Sequence, residues 1–147
     1  MKRIITILTL ALVHAAGAQA ADMPPAATMD PLLAQGRGQI AKKDWSAAVT
    51  TLEAFVKSNP KNADGFNLLG YSYRNLKKYD ESFVAYRQAL TLDPKHRGAH
   101  EYIGIAYVQT GQLDKAREHL ASLDKLCPFS CEEYRDLKKA VEQAAKP

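Results

Sequence analysis

The chain has 147 residues, of which 46% are hydrophobic and 24% are charged, a balance that fits one globular domain with a buried core. Its 20 basic and 16 acidic residues give a formal net charge of +4. No basic run is dense enough for a nucleic-acid interface, so we expect no nucleic-acid partner.

Residues 1–20 have the pattern of a secretory signal peptide. Lys2 and Arg3 precede an apolar run, and small residues of the Ala-x-Ala type follow as far as Ala20. The apolar run is shorter than the ~20 residues that span a bilayer, which disfavours a membrane anchor. We expect cleavage after Ala20, or alternatively after Ala18, with export across the inner membrane, a periplasmic location and no membrane span in the mature chain.

Residues 21–31 contain three prolines and little that could pack into a core. This composition predicts a flexible leader after cleavage. A helical period begins at Leu32.

Glycines and prolines then recur at a spacing of 34 residues. The glycines are Gly36, Gly70 and Gly104, and the prolines are Pro60, Pro94 and Pro128. A fixed period of this length marks stacked helix–turn–helix units, and each proline ends a unit because it cannot continue a helix. The register predicts three units, at about 29–62, 63–96 and 97–130.

Other positions keep the same register. The second helix of each unit is predicted to begin at Trp45, Tyr79 and Leu113, a small residue follows at Ala48, Ser82 and Ala116, and a large one at Leu52, Tyr86 and Leu120. Glycine inside a helix is unfavourable by roughly 1 kcal/mol relative to alanine, so its recurrence indicates close helix crossings. The large residues are expected to fill the space beside them. Asn62 is well placed to cap the helix that follows it.

The middle unit carries the strongest family signal. Its matching positions are Phe66, Leu69, Gly70, Tyr73, Ser82, Tyr86, Ala89 and Pro94. At these spacings the chain resembles the tetratricopeptide repeat family, over about 29–130. The third unit has His100 where a large aromatic residue is usual, and the first unit departs most. The resemblance implies an all-α fold, a right-handed α-solenoid of three helix pairs at 32–130.

A seventh helix is predicted at 131–145. Ser130 and Glu133 fit a capping box, with Ser130 as the N-cap. Four apolar or aromatic positions then recur on one helix face, at Tyr134, Leu137, Val141 and Ala144. In repeat arrays such a helix covers the apolar face of the last unit.

The only cysteines are Cys127 and Cys131. In an oxidising compartment a close, even-numbered pair favours a disulfide. The alternative is thiol redox or metal chemistry, since Cys131 would lie in a first helical turn, where thiolate is favoured. Thioredoxin-type dithiols are separated by two residues on a βαβ scaffold, whereas three separate this pair on a helical one.

His96 and His100 lie one helical turn apart but lack further ligands, so we expect no metal site there. His100 also occupies a packing position of the repeat. No catalytic triad, phosphate-binding glycine loop or paired carboxylate set stands out, so we expect neither an enzyme nor a cofactor.

The resemblance implies that the first helices of the units line a concave groove. By periodicity, the residues that face it are Arg37, Asn67, Tyr71, Arg74, Glu101, Ile105 and Val108. This mixture suits an extended peptide or a partner helix. Family members that bind chaperones hold a C-terminal carboxylate at groove positions that are here Leu33, Arg37, Tyr71, Glu101 and Ile105. Glu101 would repel a carboxylate, which disfavours that ligand.

We therefore expect a non-catalytic protein-binding module, an adaptor or assembly factor of the cell envelope. The first alternative is a thiol-redox or metal-handling protein that uses Cys127 and Cys131. The second is a self-assembling structural protein. The partner's identity and the oligomeric state stay open.

Overall fold

The computed structural model describes residues 30–146. The predicted signal peptide at 1–20 and nearly all of the predicted leader at 21–31 lie outside this part of the chain. Within it, seven α-helices and no strand are formed, which confirms the all-α fold class. The helices are α1 (Pro31–Ala41), α2 (Trp45–Ser58), α3 (Ala63–Asn75), α4 (Tyr79–Leu92), α5 (Arg97–Gln109), α6 (Leu113–Leu126) and α7 (Glu132–Ala144).

Four of the seven described helices, α1, α2, α3 and α5, begin after a residue whose side chain caps the helix. The second helices begin at Trp45, Tyr79 and Leu113, as the register predicted. Asn62 Oδ1 accepts a hydrogen bond from the Gly65 N–H at 2.8 Å, which confirms the predicted cap of α3. Helix α1 begins at Pro31, one residue before the predicted start, because Asp30 accepts a bond from the Leu32 N–H and proline suits the first helical position.

Each helix pair turns through one residue in the left-handed region. These residues are Lys43 (φ 59°), Lys77 (φ 60°) and Gly111 (φ 75°), and they are again 34 residues apart. In each turn the next N–H donates back to a carbonyl near the end of the first helix, for example from Lys78 to Tyr73 at 3.0 Å. This is the geometry of a glycine C-cap, which the first two units form with lysine instead.

The helices stack in chain order. The pairs α1–α2, α3–α4 and α5–α6 are each packed together, and the first helices are also in contact with one another, α1 with α3 and α3 with α5. Helix α7 contacts both α5 and α6. It therefore occupies the position that the first helix of a fourth unit would take.

The register glycines lie at close helix crossings. A Cβ atom built on Gly36 would lie 2.7 Å from Leu52 Cδ2, and one on Gly70 would lie 2.6 Å from Tyr86 Cδ1. These contacts confirm the predicted pairing of glycine with the large residue of the second helix. In the third unit the nearest side chain to Gly104 is Leu137 of α7. The prediction that Leu120 would fill this space is therefore wrong, because the Leu137 side chain of α7 occupies it.

The predicted capping box at the start of α7 is also wrong. Ser130 has a positive φ of 61°, and Cys131 is the N-cap without a side-chain hydrogen bond. Leu137 and Val141 are buried, and Tyr134 packs against the same cluster. The predicted apolar face of α7 thus covers the end of the array, and at the start of the helix Arg135 Nη1 donates to the Ser130 carbonyl at 2.7 Å.

Candidate functional site

A cluster of aromatic rings holds Arg74 in a fixed position on α3. The guanidinium carbon of Arg74 lies 5.1 Å from the ring centroid of Tyr71 and 5.8 Å from that of Tyr102. The two tyrosine rings are 4.9 Å apart, and Trp45 meets Tyr71 edge-on at 5.7 Å. Arg74 Nη1 also donates to Gln109 Oε1 at 3.5 Å. Cation–π contacts from two rings position this cation, and a lysine could not reproduce the planar stacking.

Beside this cluster is a polar cavity of about 270 Å³ between α3, α5 and α7. It is lined by Asn67, Gly98, Glu101, Tyr102, Glu132, Glu133 and Asp136. Asn67 is 6% exposed and its Oδ1 atom has no hydrogen-bond partner among the described residues. Glu101 is 9% exposed. A buried carboxylate and an unpartnered carbonyl oxygen therefore share one cavity.

Glu101 has a strongly shifted acidity. Burial, and then the negative charges of Asp136 and Glu133, raise the pKa of Glu101 to about 7. Arg74 acts in the opposite direction but is the weaker influence. Negative charges thus outweigh positive ones around the Glu101 carboxyl group.

We call the surface formed by Asn67, Tyr71, Arg74, Glu101 and Tyr102 the groove. Four of these residues were predicted from the sequence, and the structure brings them together across α3 and α5. Their role in binding stays a prediction.

Arg37 lies at the edge of this surface, on α1. It is half-exposed, and its Nη2 atom is 3.9 Å from Asp64 Oδ2. Asp64 is better held by His96, whose Nε2 atom lies 3.0 Å from Asp64 Oδ1. An exposed pair such as Arg37–Asp64 contributes ~0–1 kcal/mol, so Arg37 is free to exchange Asp64 for another anion.

Ile105 and Val108 pack against the apolar cluster shared by α6 and α7. They occupy the repeat positions that Tyr71 and Arg74 occupy in the preceding unit. The surroundings of the two pairs differ because α7 packs against α5. On α3, Tyr71 and Arg74 instead contact the ring of Tyr102.

Two sets of residues at the site were missed by sequence reasoning. Tyr102 and Trp45 complete the aromatic cluster, and Glu132, Glu133 and Asp136 supply the acidic wall. The tyrosines at 71, 73 and 102, which lie on first helices of the repeats, were an available signal for the first set. The orientation of α7 could not be read from the period, because α7 has no repeat copy.

Three histidines in the described part of the chain, His96, His100 and His119, make hydrogen bonds within the fold. His96 Nδ1 accepts from the Ala99 N–H at 3.1 Å and thereby caps α5. His100 Nε2 is 3.0 Å from the Pro94 carbonyl, and its Nδ1 is 2.9 Å from His119 Nδ1. A carbonyl only accepts, so His100 Nε2 carries the proton and His119 donates to His100 Nδ1. Burial, and then His100, lower the pKa of His119 to about 4.

Cys127 and Cys131 are joined as a disulfide, with their Cα atoms 5.4 Å apart. The bridge links the end of α6 to the N-cap of α7. Within residues 30–146, one group of three potential metal ligands lies within 4.8 Å, and it consists of these two cysteines and Glu133. Sulfur in a disulfide is not a thiolate, so this group does not bind a metal in the oxidised form. The state of the pair in the cell stays a prediction.

A second, more apolar cavity of about 410 Å³ lies between α3 and α4. It is lined by Phe66, Leu69, Tyr73, Glu81, Val84, Ala85 and Gln88. Val84 is 61% exposed, an unusual position for a large aliphatic side chain. The sequence analysis did not predict this cavity.

None of the seven described helices is both long and apolar enough to span a membrane. The described fold and groove define an α-solenoid repeat protein.

Three family models for the tetratricopeptide repeat match the chain, at residues 32–62, 63–96 and 84–130. The chain thus carries tetratricopeptide repeats from residue 32 to residue 130.

The chain is also similar to curated proteins and to solved structures. The chain is 30% identical over 101 residues to the peroxisomal targeting signal receptor of Candida albicans, covering 67% of this chain and 17% of the receptor. It therefore spans about a sixth of that relative. Among solved structures it is similar to the TPR2B domain of yeast Sti1 in a pHsp70 complex, with 19% identity, a TM-score of 0.72, and coverage of 78% and 93% of the two chains.

A further solved structure is PcrH in complex with the chaperone-binding region of PopD. Its identity to this chain is 21% and the TM-score is 0.68, with 77% of this chain and 87% of that chain covered. At these identities the structural matches establish the fold alone.

Proposed function

We propose that this chain is a non-catalytic protein-interaction module that binds a peptide or a helix of a partner in the groove. The observation that carries the proposal is the fixed arrangement of Arg74 between the rings of Tyr71 and Tyr102. Tyrosine, tryptophan and arginine are the residues that dominate binding energy at protein interfaces. They are partly exposed here, on one continuous surface.

The rigidity of this cluster favours binding. Tyrosine offers a large contact area with only two rotatable side-chain bonds, and Arg74 is already ordered by the rings and by Gln109. When a partner binds, the groove side chains would therefore lose less conformational entropy than the side chains of an ordinary surface of lysines and glutamates.

The solved relatives support the same kind of ligand. The Sti1 domain forms a complex with pHsp70, and PcrH forms one with the chaperone-binding region of PopD. In our proposal the present chain shares the binding surface but not the carboxylate ligand, because Glu101 lies where it would repel one.

We also propose that the protein works as an adaptor or assembly factor of the cell envelope, after export. The basis is the signal-peptide pattern at 1–20. N-terminal sequencing of the mature protein should begin at Ala21, or at Gln19 if cleavage follows Ala18. A mature protein that begins at Met1 in the soluble cell fraction would remove this part of the proposal.

The binding test is capture of partners from cells that make the protein. The double variant Tyr71→Ala with Arg74→Ala should capture at least ten-fold less partner protein than the wild type, while its helical circular dichroism stays unchanged. The matched control is Val84→Ala with Arg87→Ala, which changes two exposed positions of α4. If the control loses its partner and the groove variant does not, binding occurs at the α3–α4 cavity.

A further inference from the structure

Four carboxylates line the cavity between α3, α5 and α7, and they belong to Glu101, Glu132, Glu133 and Asp136. Glu132 and Glu133 lie in the first turn of α7, where the helix dipole favours carboxylates. Glu101 and Asp136 lie beyond the first turns of their helices and have no ion pair among the described residues. Of the four carboxylates, Glu133 alone is paired, with Arg97 Nε at 3.5 Å.

An independent observation comes from Asn67 on the opposite wall. This side chain is 6% exposed, and its Oδ1 atom has no donor among residues 30–146. Buried polar atoms are normally hydrogen-bonded, and one left unpaired is unfavourable. Carboxylate acceptors therefore outnumber the donors in the cavity lining, which are the Asn67 amide group and the Tyr102 hydroxyl.

We propose that this cavity binds the guanidinium group of an arginine side chain from the partner peptide. The inference rests on the proposed function, since it names the chemistry that the groove selects. A guanidinium carries a positive charge and five N–H donors in one plane, which can reach several acceptors at once. Lysine would supply the charge but concentrates its donors on a single atom.

A metal ion fits the geometry less well. Among the described residues, the cavity carboxylates form no group of three whose oxygen atoms lie within 4.8 Å of one another. A single cation needs its ligands on one small shell, whereas a planar organic cation can bridge carboxylates that are further apart. The spacing of the acidic wall thus favours the larger group.

The direct test uses a probe that is independent of the unknown partner. N-acetyl-arginine amide is titrated into the isotope-labelled protein at pH 8, with N-acetyl-citrulline amide as the neutral analogue of nearly the same shape. We expect saturable NMR shifts at the Asn67 side-chain amide and at the backbone amides of Gly98 and Glu101. Citrulline should produce less than a fifth of these shifts at equal concentration. Equal shifts from both compounds, or none from the arginine compound, would overturn the proposal.

Charge variants then localise the effect. Glu101→Gln and Asp136→Asn should each weaken binding of N-acetyl-arginine amide at least five-fold. Glu142→Gln removes the same charge from an exposed position of α7 and should leave binding within two-fold. If all three variants weaken binding equally, the probe senses net charge rather than the cavity, and the proposal fails. A calcium titration that moves the same amides at lower concentration than the arginine compound would also overturn it.

The pH dependence gives a second reading. Glu101 faces Arg74 on α3 and Glu132, Glu133 and Asp136 on α7, and burial raises its pKa to about 7. A cation binds the ionised form, so N-acetyl-arginine amide should bind several-fold more tightly at pH 8 than at pH 6 in the wild type. In Glu101→Gln most of this difference should disappear. An unchanged difference in that variant would count against Glu101 as the cation's partner.

These outcomes separate the inference from the proposed function. If Tyr71→Ala with Arg74→Ala abolishes partner capture but the arginine compound does not bind, the groove function stands and the inference fails. If the arginine compound binds at the cavity while partner capture survives the double variant, the guanidinium site stands and the proposed groove function fails.

Discussion

Gly70 and Tyr86 form the close crossing between the two helices of the middle repeat. A Cβ atom on Gly70 would lie 2.6 Å from Cδ1 and 2.7 Å from Cε1 of the tyrosine ring. Tyr86 is fully buried, so its ring has no room to retreat. This contact links the repeat register to stability.

Gly70→Ala should therefore destabilise the protein, by about 1–3 kcal/mol for an overpacked core position. Gly38→Ala is the matched control, because no atom lies within 4 Å of the added methyl group. That change should stabilise α1 by about 0.5–1 kcal/mol, since alanine is the better helix former. Urea unfolding followed by circular dichroism measures both values, and opposite signs are required.

The turn residues predict a stabilising substitution. Lys77 adopts φ 60° where the third repeat has Gly111. Glycine takes this conformation without steric strain, which is worth about 1 kcal/mol. Lys77→Gly should raise the midpoint of thermal unfolding, and Gly111→Lys should lower it. A lower midpoint for Lys77→Gly would show that the lysine side chain contributes contacts that outweigh the strain.

Glu101 and His119 make opposite contributions to the pH dependence of stability. The pKa of Glu101 rises from 4.5 to about 7 on folding, so its contribution to stability is present below pH 4.5 and lost as the pH rises to 7. The pKa of His119 falls from 6.5 to about 4, so its contribution is present above pH 6.5 and lost as the pH falls to 4. Each effect is at most about 3 kcal/mol.

Single variants should separate these two effects. Relative to the wild type, His119→Gln should become less stable as the pH rises from 4.5 to 6.5, and Glu101→Gln should become more stable over the same range. Urea unfolding at intervals across this window measures the slopes. Parallel slopes for the wild type and both variants would show that neither group titrates differently in the folded and unfolded chains.

The cysteine pair provides a test between the structural and the redox interpretations. The closed loop is short, so in the chain-entropy model the bridge contributes only ~2 kcal/mol. The double variant Cys127→Ser with Cys131→Ser should lose about that stability and keep partner capture. Thiol titration of the native, non-reduced protein should find no reactive thiol. Two reactive thiols, together with lost function in the variant, would favour the redox or metal alternative.

Local rules predicted most of the fold. The period of 34 residues predicted the starts of α2, α4 and α6 and two of the three glycine contacts, because equivalent positions in the repeats make equivalent packing contacts. Prediction was wrong at Gly104 and Ser130, where the chain meets α7. There the packing depends on a helix without a repeat copy, so no column of the alignment describes it.

The candidate site shows the same division. Asn67, Tyr71, Arg74 and Glu101 come together as the period implies, since all four lie on first helices. The acidic wall of α7 and the pairing of His100 with His119 were not predicted. Both depend on contacts between different helices that lie outside the repeating positions.

The central claim is that partners bind in the groove, and site-specific photo-crosslinking in cells that make the protein tests it most directly. Gln109 is exposed and lies 3.5 Å from Arg74, so a photoreactive amino acid at this position samples the groove. The same amino acid at Arg87, on the exposed face of α4, is the matched control. We predict one discrete crosslinked protein from position 109 and none from position 87. A crosslinked protein from position 87, with none from position 109, would contradict the account.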